Sequence, residues 1–169
     1  GLKTFVYKPT SPPPLTKKRA LMVSLHGCGQ PNDDFKNSAG WPKVAEKYGM
    51  IVALPQSSGE GTYGSYGCWN FHIAMNASRN ASDQKYLLAM VSELVADTTL
   101  NIDPNQVYLT GLSSGAGMTN QMGCLAPDIF AGVGVNAGPA PGSDGRLEDL
   151  NNPSISVEQG KTNCKTYAA

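Results

Sequence analysis

A serine flanked by two glycines, Gly111-Leu112-Ser113-Ser114-Gly115, is the arrangement in this chain with the plainest chemistry. A hydroxyl attacks a carbonyl only where the backbone holds it clear of its neighbours, and Gly-x-Ser-x-Gly does so at a sharp strand-to-helix turn. Val107 to Thr110 reads as that strand and the segment from about Gly115 as that helix. Side chains at 111 and 115 would collide where the turn pinches strand against helix, and Ser113 must hold a strained backbone conformation. Ser113 is the candidate nucleophile for acyl transfer. Ser114, at a helix start, is expected to offer its N–H to the oxyanion that such a reaction develops.

A serine nucleophile needs a base to take its proton and an acid to orient that base. No histidine follows Ser113. His26 is read as structural, bonding within its own loop, and His72 as a surface or internally satisfied histidine. Asp128, Asp144, Glu148, Asp149 and Glu158 follow Ser113, and none is assigned as the acid. Both groups are expected beyond Ala169. The loop His26-Gly27-Cys28-Gly29 sits where enzymes with this turn provide a second backbone donor.

The elements that must position these groups alternate. Ala20 to Leu25 and Met50 to Leu54 are short apolar runs of buried-strand type. Between them, Trp41-Pro42 opens a helix that Gly49 closes. Gly59 to Gly67 and Asn70 to Asn80 read as loops. From Asp83, a plausible N-cap, Leu87, Met90, Val91, Leu94 and Val95 fall on one helical face. Asn101 to Pro104 is a turn feeding the strand Gln106 to Thr110. Met118, Met122 and Leu125 mark the next helix, and Ala131 to Asn136 the next strand. Gly138 to Ala169 reads as a loop-rich excursion with little to bury. Two strand-helix-strand units in series imply α/β class with a mainly parallel central sheet and flanking helices, and the Gly-x-Ser-x-Gly turn between strand and helix points to the α/β-hydrolase type. The 169 residues are expected to be one partial domain of this class, with the C-terminal strands outside it.

Thirteen basic and thirteen acidic residues, spread evenly, give no footprint for nucleic acid or an anionic membrane. No apolar run approaches the ~20 residues that span a bilayer. The first residues show no leader pattern, so a leader is expected to have been removed. Spacing argues against a zinc site, and neither metal nor cofactor is expected. Cys28, Cys68, Cys124 and Cys164 allow three connectivities, of which we favour Cys28–Cys68 with Cys124–Cys164. The sequons Asn76-Ala77-Ser78 and Asn80-Ala81-Ser82, with the cysteines, point to an extracellular or periplasmic location.

Four segments in order, Leu25 to Gln30, Gly67 to Phe71, Val107 to Met118 and Pro127 to Gly132, resemble extracellular poly(3-hydroxybutyrate) depolymerases. Those belong to a wider group that includes the feruloyl and acetylxylan esterases, of the carbohydrate esterase family 1 type. The resemblance implies a carboxylic-ester hydrolase with an acyl-enzyme on Ser113 and an oxyanion hole of the Cys28 and Ser114 N–H groups. It makes Trp69 an exposed surface that holds polyester, the alternative being a core tryptophan. A Cys28–Cys68 bridge would then pin the oxyanion loop to the Trp69 loop. It also implies that two further strands supply the catalytic Asp and His, either on a C-terminal companion fragment cleaved near Ala169 but still bound against the strand at 131–136, or on a continuation absent from residues 1–169. The rival readings are a feruloyl or acetylxylan esterase, and a non-catalytic polymer-binding module.

Overall fold

The computed structural model describes residues 1–14, 17–60, 63–71, 77–143 and 155–168. Its strands are β1 (Thr4–Tyr7), β2 (Arg19–Leu25), β3 (Ile51–Pro55), β4 (Ile102–Leu112) and β5 (Gly132–Asn136). They form one sheet in the order β1-β3-β2-β4-β5. β1 runs antiparallel to β3, and all other neighbours are parallel. Parallel strands covered on both faces must be apolar throughout, and β3, Ile-Val-Ala-Leu-Pro, is buried at every position. The fold is thus the mainly parallel α/β architecture with flanking helices.

Two helices, α1 (Asn32–Ser38) and α2 (Trp41–Tyr48), join β2 to β3. They cover one sheet face, where Phe35 and Ala45 pack with Val52 and Leu54. Helices α3 (Ser82–Ala96), α4 (Ser114–Leu125) and α5 (Val157–Tyr167) belong to the other face. There Leu87, Met118, Met122 and Tyr167 join Leu21, Val23 and Leu109 in the larger core.

Several expectations need correction. β1 and α1 have no counterpart in the sequence reading. β4 begins at Ile102, so the segment read as a turn is already strand. Asp83 is not an N-cap: Ala81 holds that position and Asp83 lies in the first turn. The stretch from 138 is not wholly loop, because α5 occupies 157–167. The Ser156 hydroxyl accepts the Gln159 N–H at 3.1 Å and starts that helix. A disulfide from Cys124 to Cys164 fastens it to the end of α4.

β5 ends the sheet with Val133 and Val135 respectively 47% and 42% exposed. On the α1 face, a cavity of about 420 Å³ opens among Ser24, Gln30, Trp41, Thr110, Leu112 and Asn136. Within the described residues the buried Ser24 hydroxyl has no hydrogen-bond partner. No described helix is long and apolar enough to cross a membrane.

Candidate active site

The last residue of β4 is Leu112 and the first of α4 is Ser114, so Ser113 is the hinge between them. Its backbone sits at φ 55°, ψ −116°, a region that costs a non-glycine residue about 1–3 kcal/mol. Neighbouring bonds hold it there. The Ser113 N–H donates to Asn136 O at 3.1 Å, and its carbonyl accepts the Gly117 N–H at 3.0 Å. A Cβ on Gly111 would fall on the Gly115 carbonyl, and one on Gly115 would lie 2.5 Å from His26 O and Leu25 O. Both glycines are therefore demanded by close approach, and the second admits the end of β2 as well as the helix.

That approach brings the loop after β2 against Ser113. The Cβ position of Gly27 is 3.4 Å from Ser113 Cβ. Within the loop, the Gly27 N–H donates to Gln30 Oε1 at 2.8 Å and the Gln30 N–H to Gly27 O at 3.3 Å. No described residue accepts from the Cys28 N–H, and Cys28 is bonded to Cys68. Ser114 is the first helical residue of α4, where an N–H has no partner inside the helix. The Cys28–Cys68 and Cys124–Cys164 pairs are those favoured from the sequence.

His26 is fully buried, with both ring nitrogens occupied. Nδ1 lies 2.7 Å from Gly27 O, which makes it the protonated nitrogen. Nε2 then accepts from the Ser57 N–H at 3.0 Å and from Gln56 Nε2 at 2.9 Å. Burial pushes its pKa below the usual imidazole value, against the pull of the Gly27 carbonyl and the Asp83 charge. An imidazole so committed is a structural group, not a base for Ser113.

Trp69 departs from its expected role. It has no exposed surface, and its Nε1–H donates to His26 O at 3.0 Å while the two rings lie 5.2 Å apart. A buried indole nitrogen seeks an acceptor, and here that acceptor secures the loop after β2. Trp69 is a core residue beneath the site, and the exposed aromatic on the same loop is Tyr66, 69% accessible. The Tyr66 carbonyl lies 3.9 Å from where a Gly29 Cβ would stand, a proximity set by the tertiary fold, so only the Gly-Ser-Tyr richness of the loop hinted at it.

Asp83 is a group that sequence reasoning misplaced. Its buried carboxylate accepts the Ser58 N–H at 2.9 Å and the Asn70 N–H at 2.8 Å. Gln84 and Gln121 bond each other beside it, and Gln121 donates to Phe71 O at 3.2 Å. Asp128 forms a forked pair with Arg79, whose Nε also caps Leu125 O at 2.8 Å. Glu158 pairs with Lys161 on the exposed side of α5. Asp144, Glu148, Asp149, His72 and Asn76 lie outside the described residues. Among those described, no carboxylate or imidazole is hydrogen-bonded to Ser113, and no cluster could hold a metal ion.

The geometry has counterparts. The family model for the esterase PHB depolymerases matches residues 5–145. A poly(3-hydroxybutyrate) depolymerase of Ralstonia pickettii is 45% identical over 150 residues, covering 85% of this chain and 30% of that protein. An acetylxylan esterase of Coprinopsis cinerea is 34% identical over 143 residues, covering 84% of this chain and 36% of that protein. Among solved structures, an acetyl xylan esterase from Aspergillus awamori superposes with a TM-score of 0.68 at 27% identity, over 82% of this chain and 47% of that one. The chain thus spans 30% and 36% of the length of the two curated relatives named here.

Proposed function

The chain belongs to the esterase family of the PHB depolymerases, and from that premise we propose that it carries the nucleophile and oxyanion half of a site that hydrolyses poly(3-hydroxybutyrate). Ser113 Oγ attacks the ester carbonyl, the alkoxide of one chain segment leaves, and water releases the acyl group from the serine. The N–H groups of Cys28 and Ser114 take the charge of the tetrahedral intermediate. The observation that carries this reading is the Ser113 backbone at φ 55°, ψ −116°, with the loop after β2 so close that a Cβ on Gly27 would stand 3.4 Å from Ser113 Cβ. Strain of that kind is kept where the surrounding fold enforces it, as at a nucleophile elbow.

The general base and its acid partner, a His and an Asp, come from a further segment seated along β5. The bare edge of β5 and the open cavity beside Asn136 support this seat, as does the greater length of the relatives. Two disulfides support an oxidising, extracytoplasmic location. With Trp69 buried, the polymer-binding module loses the surface on which that reading rested.

The test is turnover by the full-length protein. It should clear poly(3-hydroxybutyrate) granules and take up a fluorophosphonate at Ser113, and Ser113→Ala should lose both, with a rate loss of ~10⁴-fold or more. Granule clearing that survives in Ser113→Ala overturns the mechanism. Turnover of acetylated xylan or feruloyl esters without granule clearing transfers the substrate to plant-wall esters.

A further inference from the structure

We propose that Asp83 is a positioning residue that sets the geometry of the oxyanion hole, an inference that rests on the ester-hydrolase reading of Ser113. Asp83 has no exposed surface, and burying a carboxylate is costly unless its oxygens are satisfied. No cation is paired with it among the described residues. Its position in the first turn of α3 favours an anion, and two described backbone N–H groups bond its oxygens: Ser58 on Oδ1 and Asn70 on Oδ2.

Those two donors come from separate loops, and each is one residue from a group that grips the oxyanion loop. Next to Ser58, the Ser57 N–H donates to His26 Nε2 at 3.0 Å and the Ser57 hydroxyl to Gly67 O at 3.2 Å. Next to Asn70, the Trp69 indole donates to His26 O, and the Trp69 N–H reaches Ser114 Oγ at 3.5 Å. Cys68, one residue further back, is bonded to Cys28 itself. A single carboxylate therefore draws together the exit of β3 and the Cys68–Asn70 segment, and between them the two hold His26 and Cys28. An oxyanion donor works only when fixed at hydrogen-bond distance from the place where charge develops.

Asp83→Asn keeps the shape but turns one acceptor into an NH₂ group facing a backbone N–H. The clamp then opens on one side. In the full-length protein, kcat per folded molecule is expected to fall roughly 10–100-fold with KM within about two-fold, short of the 10²–10³ for deleting a donor outright. Amide exchange should quicken in 26–30, 57–58 and 68–70 while β2 to β4 stay protected. Asp83→Glu, which keeps the charge, should recover part of both. A merely structural role would lower the unfolding midpoint and leave kcat per folded molecule at the wild-type value. Should Asp83→Asn fail to fold, Asp83→Ser keeps one short acceptor and is read by the same two measurements. Wild-type protection at 26–30, or wild-type kcat with destabilisation alone, overturns the inference and leaves the esterase reading intact. A wild-type protein that turns over no ester overturns that reading instead, and the exchange pattern still decides whether Asp83 is the clamp.

Discussion

His26 shows how a residue two places from the proposed oxyanion donor Cys28 can shape the pH dependence of stability without reacting itself. Its ring is buried and neutral, Nε2 accepting from Ser57 and Gln56, so a proton there would face two donors. Burial holds its pKa below 6.5, while an unfolded chain leaves it near that value. Between the lowered value and 6.5 the unfolded state binds more protons, so the contribution of His26 to stability is complete above pH 6.5 and declines as pH falls beneath it. Urea unfolding midpoints between pH 8 and pH 5 should drop on the acid side of 6.5, and the imidazole resonances should titrate below it. Ring resonances that titrate at or above 6.5 in the folded protein would contradict this account. The site was partly legible at this scale. Ser113 and its glycines stand out because their spacing is local. The burial of Trp69 was not legible, because its acceptor, His26 O, lies 43 residues away in sequence and only the folded loop brings them together.

At the scale of elements, α5 is the part most dependent on covalent chemistry. Its only buried residues are Gly160 and Tyr167, and most of its length is polar. A helix of 11 residues with so little to bury is marginal by itself. The bond from Cys164 to Cys124, 40 residues apart in sequence, holds it to α4, and such a cross-link is worth roughly 4 kcal/mol in the chain-entropy model. Replacing both cysteines by serine should lower stability by up to about that amount and release α5 first. Hydrogen exchange would then speed up over 157–167 while β2 to β4 remain protected, and a helix that stayed protected would assign its stability to packing instead. The polarity of α5 explains why the sequence did not reveal it, since no apolar stripe runs along it and only Ser156 with Gln159 marks its start. β1 escaped for another reason: four residues are too few to show a period, and their strand character comes from pairing with β3, some 50 positions on. By contrast β2, β3, α3 and α4 were evident, because each carries its burial pattern within its own residues.

For the molecule as a whole, the β5 edge of the sheet decides behaviour. β1 is a short antiparallel edge, whereas β5 runs parallel to β4, pairs with no other strand among the described residues and carries two half-exposed valines. An apolar, unpaired edge is a template for strand addition. Natural edges are blunted by charge or proline, and Gly132-Val-Gly-Val-Asn136 has neither. Residues 1–169 prepared alone should therefore self-associate through β5 at micromolar concentration. Val133→Lys with Val135→Lys should return them to monomer, since a lysine at an exposed edge position opposes pairing at little cost to the fold. Sedimentation velocity distinguishes the outcomes, and oligomers of unchanged size in the double variant would move the contact elsewhere. The same edge is where the proposed further segment would sit. The valine variant should therefore also weaken docking of that segment, linking the solubility of residues 1–169 to the proposed site.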